Sequence, residues 1–150
     1  MEKENLVPIV GFRYKVYFSL NHEKPLQMTF RDIKGLSLRV NTLRFSEGGQ
    51  NEYSSQLPLK PDYSNLILNK PLTSNKKLFN WIKNSLESFE FSRAQINITL
   101  LNERGMSIYS WKVEDAYPVR WEVNGLHAEK SELAIETIEL AYKKFTTIQL

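Results

Sequence analysis

The sequence predicts a mainly β fold (α+β in class) with antiparallel pairing, either a β-barrel or two packed sheets, and one flanking α-helix at about residues 74–88. Three observations predict it. Apolar and polar residues alternate with period two in roughly seven to nine separate segments, the pattern of half-buried strands. Only one stretch, LTSNKKLFNWIKNSLESF, carries an apolar stripe at helical spacing. With a single helix to serve as a crossover, most strands must be joined as antiparallel neighbours.

The elements follow in order along a chain read as one domain, residues 1–150. Residues 1–9 form an N-terminal arm. GFRYKVYFSL places Phe12, Tyr14, Val16, Phe18 and Leu20 on one face of a strand, with Arg13, Lys15 and Ser19 on the other. After the turn NHEKP, LQMTFRDI continues with Leu26, Met28 and Phe30 in one phase. In GLSLRVNTLRFSEGG, Leu36, Leu38 and Val40 hold one phase and Leu43 and Phe45 the other, which predicts a bulge or sharp bend near Asn41–Thr42. Residues 47–65, with two glycines and two prolines, read as a long functional loop or an extended hairpin. LILN is a short strand.

In the helix, Leu78, Phe79, Trp81, Ile82, Ser85 and Leu86 line the apolar side, and Ser74 or Thr73 is placed to cap it. RAQINITLLNERGMSIYSWKV reads as a hairpin turning at Gly105. The ending SELAIETIELAYKKF is evenly balanced. Its alanines, glutamates and lysines favour helix, while two half-runs of alternation favour a strand bulged near Thr137.

DAYPVRWEVNG poses a question. Tyr117, Val119, Trp121 and Val123 make a good apolar face, yet Pro118 cannot donate to a ladder. Proline is tolerated at an edge, a strand start or a bulge. An edge with an apolar face needs a cover, supplied either by a neighbouring subunit, with Tyr117, Pro118, Arg120 and Glu122 as the contact residues, or by the same chain.

The residues carry no sign of catalysis. With no cysteine there is no disulfide, zinc-thiolate site or cysteine nucleophile. His22 and His127 stand in polar, turn-like stretches and read as solvent-exposed. No P-loop, dinucleotide or zinc-protease motif is present, and Gly48–Gly49 lacks the strand–helix context of a phosphate loop. Glu132, Glu136 and Glu139 read as a solvated or interface face. Asn97-Ile98-Thr99 matches a glycosylation sequon but reads as a strand triplet. The expectation is no enzyme, no cofactor and no metal. The net charge of +3 only slightly favours a nucleic-acid partner. The aromatics of FRYKVYF keep to the apolar phase, as in an ordinary amphipathic strand. No run approaches the length of a membrane span and the start lacks a signal-peptide pattern, so synthesis in the cytoplasm without membrane insertion is expected.

Several segments occur together in one order: FRYKVYF, IKGL, RFSEGGQNEY, LTSNKKLFNWI, ITLLNERGMSIYSW, AYPVRWE and SELAIETIELAY. In that order and spacing, from about residue 10 to 145, the chain resembles the phage tail tube proteins and their relatives in contractile injection systems, including antifeeding-prophage-like and type VI-like machines. The resemblance implies a barrel-like pair of sheets with one flanking helix, and it makes the ending a strand. It implies homohexameric rings stacked into a hollow tube inside a contractile sheath. Baseplate or spike and cap proteins would sit at its ends, with effector cargo or phage DNA in the lumen, in a particle that can be released from the cell. Glu47, Gly48, Gly49, Asn51 and Tyr53 match the motif of the loop expected between stacked rings, and Trp81, Trp111 and Trp121 are expected to pack the core. Two departures stand out: Gln50, where an acidic residue is common, and the basic, apolar tail YKKFTTIQL. A tube-initiating adaptor ring would share the fold. A small-ligand- or nucleic-acid-binding β-barrel is the reading from another class.

Overall fold

The computed structural model describes residues 13–20, 23–46, 48, 55–129 and 133–150; the arm at 1–9 and most of the predicted ring-stacking loop lie outside them. The strands are β1 (Arg13–Leu20), β2 (Leu26–Met28), β3 (Asp32–Lys34), β4 (Leu38–Phe45), β5 (Ser55–Tyr63), β6 (Leu66–Pro71), β7 (Ala94–Leu101), β8 (Ser107–Asn124), β9 (Ile135–Ala141) and β10 (Lys144–Gln149), with one helix, α1 (Lys76–Leu86). Strand order is β2-β1-β7-β8-β9-β6-β3, with β10 beside β8 and a separate ribbon β4-β5. Every pairing is antiparallel.

The 18-residue β8 is shared by two packed sheets. Its first part pairs with β7 and β10, and its second, from Tyr117 on, with β9. Two bulges turn it between the sheets. Val113 to Ala116 is set against only Ile96 to Ala94, with Asp115 in the left-handed region at φ 55°. Aspartate tolerates that region better than most residues, and Gln95 Nε2 donates to its carboxylate at 3.0 Å. The second bulge adds Val119 between Pro118 and Arg120. Pro118 therefore sits beside a bulge in a segment with one ladder instead of two, where a missing N–H is tolerated.

The core lies between the sheets. Val16, Phe18, Ile96, Ile98 and Val113 meet Leu66, Leu68, Ile138 and Leu140, all essentially inaccessible. Leu78, Trp81 and Ile82 of α1 close one flank, with Trp81 edge-on to Phe18 at 6.0 Å. The barrel does not close, because β2 and β3 at the two ends of the path do not pair. LQMTFRDI is thus not one strand but two, joined by Thr29–Arg31, and buried Phe30 lies 6.1 Å from Phe18.

Other expectations need correction. The helix is shorter than 74–88, and Asn75, not Ser74 or Thr73, caps it, its side chain accepting from the Leu78 N–H at 3.1 Å. Phe79 and Leu86, on the predicted apolar stripe, are exposed because the sheets cover only the side bearing Leu78, Trp81, Ile82 and Ser85. The ending is a strand, but β9 has no bulge at Thr137: its ladder with β6 is unbroken. The apparent phase change arises because Glu136 shares the core side with Ile138 and Leu140, while Leu133 is exposed.

Candidate assembly surfaces

Four neighbouring features bear on how copies could meet. The first is the ribbon. Among the described residues β4 and β5 pair only with each other, and their register shifts between Val40 and Thr42, where β5 carries an extra residue. Of residues 47–65, read as a long loop or extended hairpin, Ser55–Tyr63 form the strand that pairs with β4. Leu38, Val40, Leu43, Leu57 and Leu59 are each about half exposed. A two-stranded ribbon is marginal alone in water, and aliphatics at that density along both strands are unusual for a surface. The ribbon is held at its base, where Tyr63 meets Phe145 edge-on at 5.1 Å and Tyr142 at 5.9 Å. Burial, and then the neighbouring Tyr63, push Tyr142 up to about 12. Of the loop candidates, Gly48 is exposed in a turn, and Glu47, Gly49, Asn51 and Tyr53 lie outside the described residues.

The second feature is the edge formed by β8 beyond Tyr117. No other described strand pairs with its outer side. Pro118 has a fully buried side chain, while Arg120 and Glu122 are exposed. Arg120 bonds Glu122 and reaches Glu139 at 3.4 Å, and Glu139 accepts from Asn65 Nδ2 at 3.1 Å. Hydrogen bonds from Asn124 and then Arg120 hold the Glu122 carboxyl below its usual range.

The third is a buried ion pair that sequence reasoning missed. Lys70 and Glu136, both almost inaccessible, meet at 3.0 Å. Lys70 Nζ also donates to Thr73 Oγ1 at 2.8 Å, and Glu136 accepts from Trp121 Nε1 at 2.9 Å. This corrects the reading of Glu136 as a solvated or interface residue. Trp121 is not a core residue either. It is 38% exposed at the mouth between α1 and β8, edge-on to Phe79, because α1 covers that end of the sheet incompletely. Trp81 is buried and donates to the Ser92 carbonyl at 2.7 Å; Trp111 is half-buried and stacks on Tyr109.

The fourth is an aromatic step after α1, where Phe89, Phe91 and Tyr117 meet edge-to-face and Arg93 lies 4.9 Å over the Tyr117 ring. His127 is exposed, and His22 lies outside the described residues. Among the described residues no group of three or more histidines, aspartates or glutamates could hold a metal, and no helix is long and apolar enough to cross a membrane.

Comparison with solved structures finds the same architecture. A chain in a structure of the anti-feeding prophage baseplate superposes with TM-score 0.86 at 28% identity, over 95% of this chain and 97% of that one. A chain in the anti-feeding prophage cap gives 0.80 at 24% identity, covering 100% and 97%. One in an extracellular contractile injection system sheath–tube complex gives 0.79 at 22%, covering 97% and 95%. No curated protein matches by sequence. The model of the T4-like virus tail tube protein gp19 family matches residues 10–146. Split sheets joined through one long strand, a flanking helix and a free-standing ribbon are therefore arranged here on a known plan, and the chain belongs to the T4-like virus tail tube protein family.

Proposed function

We propose that this chain forms six-membered rings that stack into the hollow inner tube of a contractile, phage-tail-like injection particle. As a tail tube protein it is a structural tube subunit. The single observation that carries the finer reading is the ribbon: five half-exposed aliphatics on two strands that pair with no other described strand. Such a surface is stable in water when a second copy covers it. Contacts made head-to-tail generate a ring where the rotation closes and an open tube where it does not. The segment between β4 and β5 in the sequence, with Glu47, Gly48, Gly49, Asn51 and Tyr53, then meets the adjacent ring. The β8 edge with Tyr117, Pro118, Arg120 and Glu122 meets a neighbour. In this reading residues 1–150 act as one tail-tube domain with 1–9 as an arm, without enzyme activity, cofactor or membrane insertion. The partners are a sheath around the tube, a baseplate or spike and a cap at its ends, and effector cargo or DNA inside. The subunit is made in the bacterial cytoplasm and leaves it as part of a particle.

The likeness to a chain of an anti-feeding prophage baseplate favours one further reading, an adaptor ring that joins spike to tube. Counting copies per particle separates the two: one ring's worth for the adaptor, many rings' worth for the tube. The first test is negative-stain electron microscopy with sedimentation of the purified chain. Rings of six or stacked tubes are expected. A strict monomer at high concentration that also fails to add to isolated baseplates would turn attention to a ligand-binding barrel.

A further inference from the structure

The two ends of the molecule are unlike, and their difference follows from the path of β8. Its bulges at Asp115 and Val119 make one end, the corner where the strand passes from sheet to sheet. From that corner both arms run back toward the opposite end, the second over residues 117–124, roughly 23 Å of strand. There Leu101 and Gly105, just before the first arm, Asn124 at the end of the second, and the Thr29–Arg31 link line two adjoining grooves.

At the corner stands the aromatic step. Phe89 is 82% exposed and holds φ 55°, a conformation a bulky side chain rarely adopts and glycine adopts freely. Its ring packs edge-on to Phe91 at 4.9 Å, and Phe91 is itself 40% exposed. Glu87 and Glu90 flank the pair, are exposed, and form no ion pair among the described residues. Backbone held in a sparsely populated region clusters at ligand clamps and binding sites, and here it presents two adjacent exposed rings to water.

At the far end, the first groove encloses about 600 Å³ and is lined by Phe30, Pro71, Leu133 and Ile135, with Arg31 at its rim. The second shares Thr29, Phe30 and Arg31 with it and adds Arg13 and Lys15. All three cations are exposed and unpaired among the described residues. An apolar knob flanked by Glu87 and Glu90, with Arg93 behind it on the Tyr117 ring, and an apolar groove with three cations along it thus occupy opposite ends of one subunit.

We propose that the Phe89–Phe91 knob of one copy seats in the Phe30–Leu133 groove of the next, with Glu87 and Glu90 against Arg31, Arg13 and Lys15. The two surfaces are complementary in polarity and charge, and their placement at opposite ends makes the contact head-to-tail, the type that closes a ring or extends a tube. The inference rests on the tube reading but names a contact separate from the ribbon.

The absence of cysteine permits a clean test by site-directed crosslinking of the full chain. Phe89→Cys and Leu133→Cys proteins, mixed and mildly oxidised, are expected to give a disulfide-linked heterodimer. Phe89→Gly is expected to keep the wild-type Tm in the dilute limit, because glycine relieves the strained φ, while weakening self-association roughly tenfold or more. Glu90→Arg alone should weaken assembly, and Arg31→Glu combined with it should restore it. Wild-type rings or tubes with no Phe89–Leu133 crosslink and unweakened Phe89→Gly assembly would overturn this contact and leave the tube reading standing. Crosslinks of Phe89→Cys only to itself would overturn it in favour of two-fold pairing. A wild-type chain that never associates, alone or on baseplates, would remove both.

Discussion

At the scale of single residues, the positions that matter most are those where backbone geometry rather than side-chain chemistry sets the requirement. Gly35, between β3 and β4, holds φ +99°, and a Cβ there would stand 2.0 Å from the Asn65 carbonyl oxygen. Gly35 and Asn65 are the two feet of the ribbon, and Ser37 donates back to the Gly35 carbonyl at 2.8 Å. Gly35→Ala combines a left-handed φ with a clash against backbone that cannot rotate away. It is expected to cost about 3 kcal/mol, a fall in Tm of roughly 6–12 °C for a chain this long, measured by thermal melting. A fall below about 2 °C would mean that the two feet shift to admit the methyl group. Nothing in the spacing of apolar residues marks Gly35 as different from Gly105, which sits in a hairpin turn with open space around it. Asn75 likewise gave no advantage over Ser74 or Thr73 in the sequence, since all three are good caps. The choice was made by which side of the helix the core needed.

At the scale of elements, β9 and the buried pair teach the same lesson. The pattern of SELAIETIELAY looks like a phase slip because Glu136 fills an inward position that alternation reserves for an apolar residue. The position is tenable only because Lys70 from β6, Trp121 from β8 and Thr73 beyond β6 complete the network. Removing one partner strands a buried charge, so Glu136→Gln should destabilise the monomer by about 3 kcal/mol. Replacing both, Lys70→Met with Glu136→Leu, should recover most or all of that loss in urea denaturation, because desolvation of the two charges offsets much of their attraction. If the double variant is as weak as the single one, the pair holds the register of β6 and β9 in addition to satisfying its own charges. Pairings of this kind leave no local signature, because the partners lie 66 positions apart and each alone looks like a surface residue. The helix and β1 behave oppositely. Their amphipathic periods are strong enough that the sequence places both within two residues of their observed ends.

At the scale of the whole molecule, the exposed ribbon, the free edge of β8 and the knob are the surfaces that the proposed assembly would cover with further copies of the chain. Stability should then depend on concentration: any assembly that binds the folded state and not the unfolded one raises Tm with protein concentration. Calorimetry over a hundredfold range of concentration is expected to show a rising Tm for the wild type and a flatter one for a Leu43→Ser, Leu57→Ser double variant whose dilute-limit Tm is unchanged. A Tm independent of concentration in the wild type would place the ribbon's aliphatics in contacts the chain makes only with other proteins. The sequence by itself determined the mainly β class, the single helix, the ribbon's phase change near Asn41, and the tail tube resemblance, because period-two and 3.6-residue patterns and short motifs are local properties; it counted seven to nine strands where ten are described. The tertiary structure alone decided that the barrel stays open at β2 and β3, that Pro118 sits beside a bulge in a strand shared by two sheets, that Glu136 is buried and Trp121 is not, and that knob and groove lie at opposite ends. Each of these depends on which distant segments share a sheet, and long-range pairing is set by the packing of the whole core, which no window along the chain contains.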